Sequence, residues 1–140
     1  MYHTGARQAA GPLSHPPHGP PLDESALRQS LIDTARDSVR RGLNRGTSGN
    51  VSARAPGGFL ITPTGIAYDD LAPADLVRLD THGVAAPGQL KPSSEWRFHR
   101  DIYAARAEIG AIVHTHSRYA SALACQRREL PAFHYMIALA

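Results

Sequence analysis

His114 and His116 close an otherwise apolar run, Ala111-Ile112-Val113-His114-Thr115-His116. On a β-strand, side chains alternate faces, so residues two apart point the same way. Two imidazoles on one face can grip a single divalent cation. An H-x-H is ordinary on its own, and satisfied or exposed histidines explain it as well. A second feature adds to it: Pro92-Ser93-Ser94-Glu95, a polar loop leading into a helical pattern. The free N–H groups of a first helical turn, with two hydroxyls, suit a phosphate. Glu95 can reach a metal from the same corner. Ser94 as a helix cap followed by a first-turn acid reads equally well locally.

Two more loops have this character. Gly46-Thr47-Ser48-Gly49-Asn50 carries two glycines that would let the backbone approach a ligand closely, and Thr62-Pro63-Thr64-Gly65 follows a strand pattern. Each alone reads as a turn. Three Gly/Ser/Thr loops, a glutamate and an H-x-H in one short chain point together to a metal-assisted site for a small anion.

Positioning these residues requires interleaved helices and strands. Leu27, Leu31, Ala35 and Val39 recur every four residues, the stripe of a helix that Asp23 or Ser25 can cap and Gly42, Asn44 and Gly46 stop. Segments 51–54 and 59–62 read as strands joined across Pro56-Gly57-Gly58, and 76–79 as a further strand closed by Thr81-His82-Gly83. A helix is expected from Ser94 to about residue 106, a buried strand over 111–115 and a helix over 118–128. The class is α/β with a mixed or antiparallel sheet. Residues 1–22 differ from the rest: Pro12, Pro16, Pro17, Pro20 and Pro21 lie among Gly, His and Ala. They read as a disordered Pro/His-rich leader with solvated His3, His15 and His18, ahead of one domain over 23–140.

With 140 residues and 42% hydrophobic content, the chain suffices for one domain with a real core. Its formal charge of +3 comes from scattered arginines. That disfavours nucleic acid as a partner and suits an anionic small molecule. The single cysteine, Cys125, has no partner here for a disulfide and, among Ala122, Leu123 and Ala124, is expected to be a small buried hydrophobe. No apolar run approaches membrane-spanning length and no signal-peptide core is seen, so a cytoplasmic, reducing location is expected by default.

The stretches GLNRGTSGNVS, FLITPTGIAYDDL, KPSSEWRFHRDIY, AIVHTHS and LPAFHYMIALA occur in the order and near the spacing of one known group. The chain resembles the class II aldolase/adducin family from Leu27 onward. The resemblance implies a three-layer α/β/α fold around a mixed, mainly antiparallel sheet. It implies one zinc ion per subunit, with His114 and His116 matching two of three zinc-binding histidines and Glu95 matching the carboxylate ligand and acid/base. Gly49, Asn50, Thr64, Gly65, Ser93 and Ser94 match residues that hold a sugar phosphate. Tyr135 matches a tyrosine that reaches a neighbouring subunit's site in a homotetramer and protonates the aldehyde oxygen. The members it resembles most cleave a ketose 1-phosphate to dihydroxyacetone phosphate and an aldehyde. Epimerases and dehydratases share most of the motifs, and adducin-like members are interaction modules without chemistry. The family's third zinc-binding histidine lies beyond Ala140, and His99 and His134, off the ligand position, are expected to be structural. The expectation is therefore a C-terminally incomplete domain, inactive and marginally stable alone, with an open sheet edge.

Overall fold

The computed structural model describes residues 23–131 and 134. The proposed leader over 1–22 lies outside the described residues. Helix α1 (Glu24–Arg40) forms where the four-residue stripe predicts it, but the buried face is wider: Ile32 and Ser38 are buried with Leu31 and Ala35, while Leu27 and Val39 sit at its margin. Asp23 is its N-cap residue, with no side-chain hydrogen bond to the helix start. The hairpin of β1 (Asn50–Ala55) and β2 (Gly58–Ile61) follows. Two short 3₁₀ turns then lead to β3 (Val77–Asp80). Arg36 of α1 ties the first of these turns down by donating to the carbonyls of Tyr68, Asp69 and Leu71. Helix α2 (Trp96–Ala105), strand β4 (Ala111–His114) and helix α3 (Arg118–Cys125) complete the described elements.

The four strands form one sheet in the order β3-β2-β1-β4, and every pairing is antiparallel. Alternation along the strands divides the core in two. Under α1 lie Val51, Ala53, Ala55 and Leu60, packed with Leu31, Ile32 and Ala35. On the other face Phe59, Ile61, Val77 and Leu79 pack with Tyr103 of α2, and with Trp96 and Ile112 at the margin. This is the three-layer α/β/α arrangement, with no mixed pairing among the described residues. On that second face β1 presents Asn50 and Ser52, both buried. The register sets Asn50 opposite His114 and Ser52 opposite Ile112, so His114 shares the α2 face.

Two expectations are corrected at the far end. Strand β4 is not buried: Ala111 and Val113 are exposed and Ile112 and His114 half-buried, because it pairs only with β1 and is the sheet edge among the described residues. Helix α3 buries none of its residues, so Cys125 is exposed rather than a core side chain. That helix stops three residues before the expected end, and Arg127 takes a positive φ of 53° that a helix cannot continue. No described helix is long and apolar enough to cross a membrane.

Candidate metal centre

Glu95 is the N-cap residue of α2, yet its side chain makes no hydrogen bond to the helix start, and Ser94 does not cap the helix. The carboxylate turns toward the end of the sheet instead. Its Oε1 lies 3.2 Å from Nε2 of His114 and 3.6 Å from Nε2 of His116, and the two Nε2 atoms are 3.0 Å apart. Donor atoms bound at zinc distances on the vertices of a tetrahedron are separated by about 3.3 Å. The three separations bracket that value, so one carboxylate oxygen and two imidazole nitrogens fit a single divalent cation. The side chains of Glu95, His114 and His116 are 27, 35 and 49% exposed, so the cluster is open to a ligand from solvent.

His114 ends β4, and His116 lies beyond the strand, so strand alternation alone does not align them. The buried side chain of Asn44, in the turn after α1, does. Its Oδ1 accepts from the His116 backbone N–H at 2.9 Å, and its Nδ2 donates to Ser38 Oγ at 3.1 Å. Gly49 makes room for this residue. A Cβ there would lie 2.3 Å from Asn44 Nδ2, and φ is +76°. The glycine thus serves a contact inside the protein.

The three loops converge. Pro63 bridges Pro92, Thr64 N–H donates to Lys91 O at 3.0 Å, and Ser93 N–H donates to Thr62 O at 3.1 Å. Val51 N–H donates to the Thr62 hydroxyl at 3.2 Å, and the Tyr68 hydroxyl donates to Gly49 O at 2.7 Å. Burial pushes the Tyr68 hydroxyl pKa up to about 12. It stays a neutral donor that holds the glycine loop. Thr64, Gly65 and Ser94 are exposed, Gly49 is half-buried, and Asn50 and Ser93 are buried. Ser93 Oγ accepts from Glu95 N–H at 3.4 Å.

His99 stands apart from the cluster, buried between Asn50 and Ser52. Burial, with a smaller contribution from the His114 charge, lowers its pKa to about 4, so it is neutral near pH 7. His134 is exposed and also outside the cluster. Tyr135 lies outside the described residues. Asn44, Ser52, Tyr68 and Tyr103 were not singled out as site residues from the sequence. The signal for Ser52 and Tyr103 was a coincidence of periods: Asn50 and Ser52 two apart on a strand, His99 and Tyr103 four apart on a helix.

Residues 29–140 match the Class II Aldolase and Adducin N-terminal domain. The chain is 53% identical over 120 residues to a 5-methylthioribulose-1-phosphate/5-deoxyribulose-1-phosphate aldolase of Rhodospirillum rubrum, an alignment covering 86% of this chain and 54% of the relative. It is 45% identical over 119 residues to the L-fuculose phosphate aldolase of Escherichia coli (strain K12), covering 85% and 55% respectively. A solved L-fuculose 1-phosphate aldolase superposes with a TM-score of 0.73 at 42% identity, over 79% of this chain and 53% of that one. The chain spans about half the length of the curated relatives it matches.

Proposed function

Because this chain belongs to the class II aldolase and adducin family, we propose that it carries the metal- and phosphate-binding half of an aldolase that cleaves a ketose 1-phosphate. The observation that carries the reading is the convergence of Glu95, His114 and His116, whose ligand atoms all lie within 4.8 Å of one another. Both curated relatives carry names of phosphorylated-sugar aldolases, which supports the substrate class.

Cleaving a carbon–carbon bond beside a carbonyl leaves an enediolate whose charge must be stabilised. A divalent cation held by the three residues, zinc in this reading, supplies that stabilisation as a Lewis acid. The chain's own groups do the rest. The loops carrying Gly49 and Asn50, Thr64 and Gly65, and Ser93 and Ser94 hold the phosphate and fix the reacting carbons within reach of Glu95. Glu95 exchanges a proton with the substrate as general acid and base. Tyr135, across a subunit boundary of a homotetramer, takes the proton from the hydroxyl that becomes the aldehyde oxygen, and returns it in the reverse, condensation direction. The products are dihydroxyacetone phosphate and an aldehyde, and no covalent intermediate with the protein is needed. In this reading the enzyme works in the cytoplasm on a small-molecule sugar phosphate.

The test, made on the complete protein, is release of dihydroxyacetone phosphate from L-fuculose 1-phosphate and from 5-methylthioribulose 1-phosphate, with metal content measured in parallel. Release that requires about one zinc per subunit supports the reading. Epimerisation of ribulose 5-phosphate, or dehydration of methylthioribulose 1-phosphate, without carbon–carbon cleavage overturns it in favour of a catalytic relative. No bound metal and no turnover assigns the fold to an interaction module.

A further inference from the structure

Four buried polar groups run from the last turn of α2 to the metal-facing carboxylate. Tyr103 Oη lies 2.8 Å from Ser52 Oγ, and Ser52 Oγ lies 2.6 Å from His99 Nδ1. His99 Nε2 lies 2.5 Å from Asn50 Oδ1, and Asn50 Nδ2 lies 2.7 Å from Glu95 Oε2. Ser52 is 0% exposed, and His99 and Asn50 are 1% exposed, so water cannot replace any of these partners.

The chemistry of the end group sets the direction of the whole chain. A carboxylate only accepts, so the Asn50 amide must turn its N–H toward Glu95 and its oxygen toward His99. That oxygen also only accepts, so His99 must carry its proton on Nε2. In the neutral ring Nδ1 then accepts from the Ser52 hydroxyl, whose oxygen accepts in turn from Tyr103. Every donor points toward Glu95. An amide in the path cannot pass a proton along, so the chain orients groups and does not conduct. We propose that His99 is a positioning residue for the Glu95 carboxylate, acting through the Asn50 amide. By fixing the amide, it pins Oε2 and leaves Oε1 aimed at His114 and His116. Without the His99 donor, Asn50 Oδ1 is buried and unpaired, and nothing holds the amide in one place. An amide that shifts toward another donor carries its Nδ2 away from Oε2, and Glu95 is no longer pinned.

The inference rests on the reading of Glu95 as a metal ligand, and its test is built to fail separately from the aldolase reading. Zinc affinity of the full chain is measured by competition with a chromophoric chelator, with no sugar present. His99→Leu keeps bulk and removes the donor, and affinity should fall about tenfold or more, the range seen when groups that orient a ligand are removed. His99→Gln offers an amide donor and acceptor and should recover most of that loss. In the unmodified protein, long-range ¹H–¹⁵N spectra should show His99 with its proton on Nε2, and Ser52→Ala should leave it there, because Asn50 Oδ1 still requires a donor. If His99→Leu does not fold, the tautomer and the Ser52→Ala spectrum decide. A proton on Nδ1, or a folded His99→Leu that holds zinc as the parent does, overturns the inference even if ketose 1-phosphates are cleaved. The expected affinities and tautomer in a protein that cleaves none of them leave His99 as the positioning residue of a metal site with another purpose.

Discussion

The two faces of β1 are built from the same six residues by opposite means. Val51, Ala53 and Ala55 meet α1 through apolar contact with Leu31, Ile32 and Ala35. Asn50 and Ser52 meet α2 through hydrogen bonds to Glu95, His99 and Tyr103. Apart from the exposed Arg54, both faces are buried, although the sequence Asn-Val-Ser-Ala-Arg-Ala alternates like a strand with one face in water. Apolar contact is non-directional and tolerates small displacements. Hydrogen bonds fix orientation, and an unmet buried partner costs about 1–3 kcal/mol. The α1 face therefore contributes stability, and the α2 face places a carboxylate.

That division can be broken experimentally. The largest effect belongs to the α2 face: Glu95→Gln should leave thermal unfolding nearly unchanged while turnover drops on the order of 100- to 10,000-fold, the usual contribution of a placed acid/base. Normal turnover in that variant would reduce Glu95 to a first-turn acid and remove the basis of the comparison. Leu60→Ala on the α1 face, where the side chain is fully buried, should do the reverse. Denaturant unfolding should show a loss of about 2–5 kcal/mol, with turnover per folded molecule unaltered.

Acid should distinguish the faces as well. The folded-state pKa of His99 is lowered to about 4 against an ordinary 6.5. As pH falls, the unfolded chain takes up this proton first. The stability it contributes is complete above about pH 6.5 and is lost progressively toward pH 4, to a total on the order of 3 kcal/mol. Metal-stripped parent protein should show that slope, and His99→Gln should flatten it. The smallest effect sharpens the comparison at one residue. Asn44→Ala strands the His116 N–H and Ser38, and should cost about 1–3 kcal/mol in stability. Zinc affinity should fall with it, since the backbone of one ligand loses its anchor. Unchanged affinity would show that His116 is placed without the Asn44 anchor.

Much of the architecture was legible because it rests on local periods. The four-residue stripe of α1, the hairpin across Gly57 and the turn after β3 depend on residues close in sequence, and the structure has all three. Membership of the family was equally legible, since it rests on five ordered motifs. Inside the site, His114, His116 and Glu95 were identified by type and spacing, and they meet. The roles of Asn44 and Gly49 were not legible. An asparagine after a helix and a glycine before a strand read as punctuation, and only their packing shows that one anchors His116 and the other makes room for it.

Burial was the other thing local pattern could not supply. Ile112 and Val113 look like a core strand, and Cys125 like a core helix residue, yet β4 is an edge among the described residues and α3 buries none of its own. Tyr135, whose role is carried by resemblance, falls outside those residues. What the sequence by itself determined was which residue types are present and the local rhythm of helix and strand. Tertiary structure alone decided that Asn50 stands opposite His114, 64 residues apart, and that α2 lays His99 against Ser52. Strand register and helix docking are set by the packing of whole faces. A one-residue slip would send Asn50 and Ser52 into the apolar side, leave their polar atoms unmet, and take the carboxylate away from its histidines.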